Sequence, residues 1–152
     1  MNKQVQIIYQ GIREGWTRDQ ILDAVVESLH RENPKYHWVG IYLLMGDVLV
    51  LGPYRGAPTI HTRIPIGEGI CGLAARTKET VNVPDVRQDP RYIACSVGTR
   101  SEIVVPILHE GCVYGEIDID SDDLAAFDEA DRQQLEELAL ALVPILAKPG
   151  CE

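Results

Sequence analysis

The chain has 152 residues, of which 45% are apolar and 24% charged, and this reads as one globular domain over 1–152 with room for a core. Its 14 basic and 23 acidic side chains leave a formal net charge of −9, which disfavours phosphate backbones and anionic bilayers, so neither nucleic acid nor membrane is expected as a partner. The opening MNKQVQIIYQ lacks the basic start and apolar run of a signal peptide, and the longest apolar stretch, Leu138 to Ala147, is about half a membrane span.

The first 33 residues read as two helices. Val5, Ile8, Tyr9 and Ile12 recur at helical spacing, and Glu14-Gly15-Trp16 makes a turn. Thr17 then caps a second helix, with Gln20 completing a capping box. Its stripe is Ile21, Leu22, Val25, Val26 and Leu29, and it ends in Arg31 to Pro34. From 36 to 120 the period is that of strands. Trp38 to Leu44, the turn at 45–47 and Val48 to Leu51 predict a hairpin. After a loop at 52–58, Thr59 to Ile66 predicts a strand that Pro65 confines to an edge or an end. A short helix is expected over Ile70 to Arg76, a strand over Thr80 to Val83, and a long functional loop over 84–100. Glu102 to Leu108 and Cys112 to Asp120 form a second hairpin about Glu110-Gly111. Asp128 caps a closing helix to Ala147, whose last turn Pro144 is expected to kink or weaken. The fold class is α+β, a mostly antiparallel sheet with N- and C-terminal helices packed on it.

Three features carry chemistry. Gly67-Glu68-Gly69-Ile70-Cys71-Gly72 matches GxGxxG, but Glu68 stands where a pyrophosphate would sit and no βαβ unit follows. It therefore reads as a glycine-rich turn that lets backbone pass closely. On the last strand Glu116, Asp118 and Asp120 share one face. That face is either solvated or holds a cation, because like charges about 7 Å apart repel. An ammonium suits it better than a metal, since His30, His37, His61 and His109 show no ligand spacing to these carboxylates. The cysteines stand at 71, 95, 112 and 151 with no CxxC pair, which argues against structural zinc and points to reduced thiols in a cytoplasmic protein. Cys71, beside a helix start, is open to activation by the helix dipole, and Cys95 lies in the long loop with Arg91 and Arg100 near in sequence. Cys112 reads as a small buried apolar residue and Cys151 has no assigned role. Trp38 and Tyr42 share a strand face, as core or as an aromatic wall.

Together these residues resemble the free methionine-(R)-sulfoxide reductases, whose fold is a GAF domain. The likeness runs from Trp38 to the closing helix. Its blocks are 38–42 (WVGIY), 49–53 (LVLGP), 62–65 (TRIP) with the glycine-rich 67–72, 83–86 (VPDV), 93–95 (IAC), 100–106 (RSEIVVP) and 118–121 (DIDS). The resemblance implies reduction of the free amino acid methionine-(R)-sulfoxide without a cofactor or metal. Cys95 aligns with the catalytic cysteine and Cys71 with a second one. Glu102, Asp118 and Asp120 align with the substrate-site carboxylates, and Trp38 and Tyr42 with the aromatic wall. A third family cysteine, regarded as a resolving thiol, is His61 here. The family implies recycling by thioredoxin or another thiol and a homodimer, for which the stripe Val5 to Ile12 is a contact. The other reading is a GAF module that binds methionine sulfoxide or a related amino acid as a sensor without turnover.

Overall fold

The structure, a computed structural model, describes residues 2–92 and 98–147. Two helices open the chain, α1 (Lys3–Glu14) and α2 (Arg18–Glu32). Asn2 caps α1 through its side chain, and Gly15 closes it in the left-handed conformation that glycine tolerates. The expected capping box of Thr17 and Gln20 opens α2.

Six strands follow: β1 (Trp38–Met45), β2 (Val48–Arg55), β3 (Arg63–Pro65), β4 (Val81–Val83), β5 (Ser101–His109) and β6 (Cys112–Ser121). Helix α3 (Gly69–Thr77) lies between β3 and β4, and α4 (Glu129–Leu146) closes the chain. The sheet order is β3-β2-β1-β6-β5-β4, and every neighbouring pair is antiparallel. No described helix is long and apolar enough to cross a membrane.

Strand alternation divides the interior in two. Val39, Ile41, Ile103, Val105, Ile107, Ile117 and Ile119 face α1, α2 and α4, which contribute Ile8, Leu22, Val25, Leu138 and Leu142 to this larger core. The opposite sheet face is covered by α3, with Trp38, Tyr42, Leu49, Ile64 and Val104 packed under Ile70, Cys71, Ala74 and Ala75.

The predicted strand over 59–66 is much shorter. Only Arg63–Pro65 pairs, at the sheet edge, because the His61 and Thr62 amides bond locally to Thr59 Oγ1 and the Ile60 carbonyl. Conversely β2 continues past Leu51 to Arg55. A register shift opposite Ile41 absorbs Gly52-Pro53, and β3 pairs only with Val48 to Val50, so Pro53 denies no partner an N–H. Loop 84–100 contains a 3-10 turn, Val86–Gln88, and the Val86 amide ties it to the Arg100 carbonyl at 2.8 Å. In α4, Pro144 stands in the last turn and the helix still reaches Leu146.

Candidate active site

The site lies on the α3 face of the sheet, at its centre. Register alone arranges the groups. Asp120, Asp118 and Glu116 descend β6 at every second residue, opposite Trp38, Gly40 and Tyr42 of β1 and opposite Glu102, Val104 and Pro106 of β5. Two aromatic rings therefore flank the acids on one side, and a fourth carboxyl, Glu102, lies beside Asp120 on the other.

The face is not solvated. Glu102, Glu116, Asp118 and Asp120 are each no more than 2% exposed. Glu102 lies close enough to Asp118 and Asp120 to influence both carboxyls. Both oxygens of Glu116, both of Asp120 and Oδ1 of Asp118 have no hydrogen-bond partner among the described residues. Burial pushes Glu116, Asp118 and Asp120 above the usual carboxylate range, and for Glu116 and Asp120 the neighbouring Asp118 charge adds to it. Orphaned buried carboxyls are costly and mark a place for a partner.

Cys71 enters this cluster from α3. Its Sγ donates to Asp118 Oδ2 at 3.3 Å, and it is a free, buried thiol. The expected activation by the helix dipole does not occur. Burial first, then the charges of Asp118, Glu116 and Glu102, hold the thiol well above its ordinary value, because the side chain points down onto acids rather than back along the helix end. The α3 entry itself is a tight glycine turn, as the motif suggested. Gly67 and Gly69 take positive φ, and a Cβ on Gly72 would stand 2.7 Å from the Gly67 amide nitrogen.

Trp38 and Tyr42 form a wall. The Trp38 ring folds over Gly40, where a Cβ would collide with it, and stacks on Tyr54 with centroids 5.6 Å apart. Its Nε1 donates to the Ala57 carbonyl, and the Tyr42 hydroxyl donates to the His61 carbonyl at 2.8 Å. His61 thus braces the wall through its backbone.

Cys95 lies outside the described residues. Of the described residues near it in sequence, Tyr92 packs against the α3-side core, and a Cβ on Gly98 would stand 3.3 Å from an Asp122 carboxylate oxygen. Arg91 is committed to Asp89 through two side-chain bonds of 2.6 and 2.9 Å, while Arg100 Nε is buried with no partner among the described residues. Cys112, expected as a reduced apolar filler, is half-buried and disulfide-bonded; Cys151 lies outside the described residues. Sequence spacing also missed a convergence of donors. Cys71, Glu102 and Asp118 each place a ligand atom within 4.8 Å of the others, from three separate elements.

The GAF domain family matches residues 17–143. The chain is 46% identical over 107 residues to the free methionine-R-sulfoxide reductase of Saccharomyces cerevisiae, covering 68% of this chain and 59% of the yeast protein. Among solved structures it is similar to the free methionine-R-sulfoxide reductase of Neisseria meningitidis in complex with its substrate. That match has 40% identity and a TM-score of 0.86, and covers 94% of this chain and 85% of the other. The type II free methionine-R-sulfoxide reductase of Thermoplasma acidophilum is 41% identical with a TM-score of 0.83, covering 85% and 92%.

Proposed function

The chain belongs to the GAF domain family, among its free methionine-(R)-sulfoxide reductases, and is an oxidoreductase; we propose that it reduces free methionine-(R)-sulfoxide to methionine through Cys95. The observation that carries this reading is the set of four buried carboxyls beneath α3, several of whose oxygens lack a partner among the described residues. A free amino acid brings an ammonium, which satisfies such oxygens and offsets their mutual repulsion. Peptide-bound methionine sulfoxide has no ammonium to offer.

The same acids serve the chemistry. The Cys95 thiol attacks the sulfoxide sulfur, the S–O bond breaks, and the oxygen leaves on Cys95 as a sulfenic acid while methionine is released. The departing oxygen needs a proton during that exchange. Asp118 and Asp120, whose burial keeps them protonated to higher pH, are suited to lend it, and the carboxylates that remain ionised hold the ammonium. Trp38 and Tyr42 supply an apolar wall for the methylthio end. Recycling requires a second thiol, which displaces hydroxide as water and forms a disulfide. Cys71 or an external thiol such as thioredoxin fills that role. The buried Cys71 needs a base, and Asp118 Oδ2, which accepts its hydrogen bond with sulfur and oxygen 3.3 Å apart, is placed to serve.

The test is a panel of (R) and (S), free and peptide-bound methionine sulfoxide with excess dithiothreitol. Turnover of the free (R) form alone, abolished by Cys95→Ser, is the expected result; activity surviving in that variant would sink the mechanism. Stoichiometric binding without product would instead establish the sensor reading, to which His61 at the third cysteine's position lends support. Cys71→Ser should cut turnover with thioredoxin far more than with dithiothreitol if Cys71 resolves. We also assign a cytoplasmic setting and a homodimer to this reading, the latter through α1.

A further inference from the structure

Of the four buried carboxyls, Glu116 is given no individual role in the proposed reaction. Glu116 is fully buried, neither of its oxygens has a hydrogen-bond partner among the described residues, and its charge bears on the Cys71 thiol. Beside it, ligand atoms of Cys71, Glu102 and Asp118 lie within 4.8 Å of one another. We propose that Cys71, Glu102 and Asp118, with Glu116 as a fourth donor, form a binding site for a divalent transition-metal ion of the zinc class, and that the ion competes there with the substrate's ammonium. The competition rests on the reductase reading; the binding does not.

The donor chemistry selects the ion. One thiolate with carboxylate oxygens is a mixed sulfur–oxygen set, which suits zinc; magnesium and calcium take oxygen alone. A tetrahedral zinc held at about 2.3 Å from sulfur and about 2.0 Å from oxygen sets those two ligand atoms about 3.5 Å apart. Cys71 Sγ and Asp118 Oδ2 already stand at 3.3 Å. The three donors sit on α3, β5 and β6, so packed elements rather than a loop hold them. Binding forms a zinc–sulfur bond and releases the Cys71 proton, together with any proton shared between the carboxyls, to solvent; no electron moves. The ion, like the ammonium, relieves the repulsion between buried acids, and the two cannot occupy the same oxygens at once.

Cobalt(II) chloride is the probe, added to the full chain kept reduced with a phosphine. One equivalent should produce the visible bands of a tetrahedral site and a near-ultraviolet thiolate-to-cobalt charge-transfer band. Both should persist in Cys95→Ser, and zinc chloride should bleach them stoichiometrically. Cys71→Ser should lose the charge-transfer band. Glu116→Gln, with its fold checked by circular dichroism, should weaken cobalt binding by roughly 10- to 100-fold. Zinc should raise the apparent KM for methionine sulfoxide and leave kcat unchanged. A missing charge-transfer band in the wild type, a band that survives in Cys71→Ser, or one lost in Cys95→Ser would overturn the site. Unchanged affinity in Glu116→Gln would remove the fourth donor, and zinc inhibition that excess substrate does not relieve would remove the competition. Cobalt binding needs no turnover, so an inactive enzyme would defeat the reductase reading and leave this assignment standing.

Discussion

Asp118 is where the proposed ammonium binding and proton supply meet the Cys71 thiol. It accepts from Cys71, is influenced by Glu102, and pairs across the strands with Gly40, over which the Trp38 ring folds. Its carboxyl, and those of Asp120 and Glu116, are raised by burial, so the folded chain holds protons that the unfolded chain, with carboxyls near 4, has already released. The sign follows from that difference. The stability these groups contribute is present at acid pH and is lost as pH rises from about 4 through their folded-state values. Asp118→Asn, a neutral replacement of similar shape, should therefore flatten the decline of Tm between pH 5 and pH 8 and raise Tm at the alkaline end. A steeper decline in the variant would contradict this account. Activity should move the other way. If Asp118 lends the proton, kcat/KM falls by about 10²- to 10⁴-fold in the variant, and the wild-type rate drops as alkaline pH strips the donor.

At the scale of elements, α3 and α4 each depend on an identifiable device. A Cβ on Gly72 would meet the Gly67 nitrogen at 2.7 Å and the Pro65 carbonyl at 3.0 Å, and backbone cannot swing aside as a side chain can. Gly72→Ala should cost about 1–3 kcal/mol in denaturant unfolding and shift α3, carrying Cys71 off Asp118. Accelerated alkylation of Cys71 in that variant would register the shift. At the start of α4, Asp131 closes the capping box with Asp128 and also accepts from Lys35 at 2.9 Å and from the Tyr36 hydroxyl at 2.5 Å. Partial burial pushes its carboxyl up, but these bonds outweigh the burial and hold it below its usual value. Asp131→Ala removes all of them and strands the Tyr36 hydroxyl, so a loss of about 1–3 kcal/mol is expected from chemical denaturation. The Thr17–Gln20 capping box and the Asp128 cap are legible in the sequence. The cross-chain bonds of Asp131 are not legible there, because their partners lie 95 and 96 residues away.

For the whole molecule, the sheet separates a large apolar core under three helices from a smaller one under α3, in which apolar side chains surround four buried carboxyls. The α1 stripe divides in the same way: Ile8 is fully buried, while Tyr9 and Ile12 remain about half exposed. Those two side chains are the surface assigned to the homodimer. Tyr9→Asp with Ile12→Asp should yield a folded monomer by light scattering while the parent chain is a dimer. A parent that is already monomeric would dismiss the assignment.

The sequence alone determined the elements and their faces. Helical spacing in Ile21 to Leu29, alternation in Ile117 to Asp120 and the two turn-closed hairpins are local patterns, and local sterics and periodicity suffice to read them. It also marked Glu116, Asp118 and Asp120 as an unfavourable row in want of a cation. What it could not decide was whether water filled that role. Only the tertiary structure, by laying α3 over the row, buried the acids, set Glu102 beside Asp120 and brought Cys71 onto Asp118. That placement reversed the expectation for Cys71. A helix dipole is a property of one element and can be anticipated from it, whereas desolvation and the field of three carboxyls arise only when distant segments pack together.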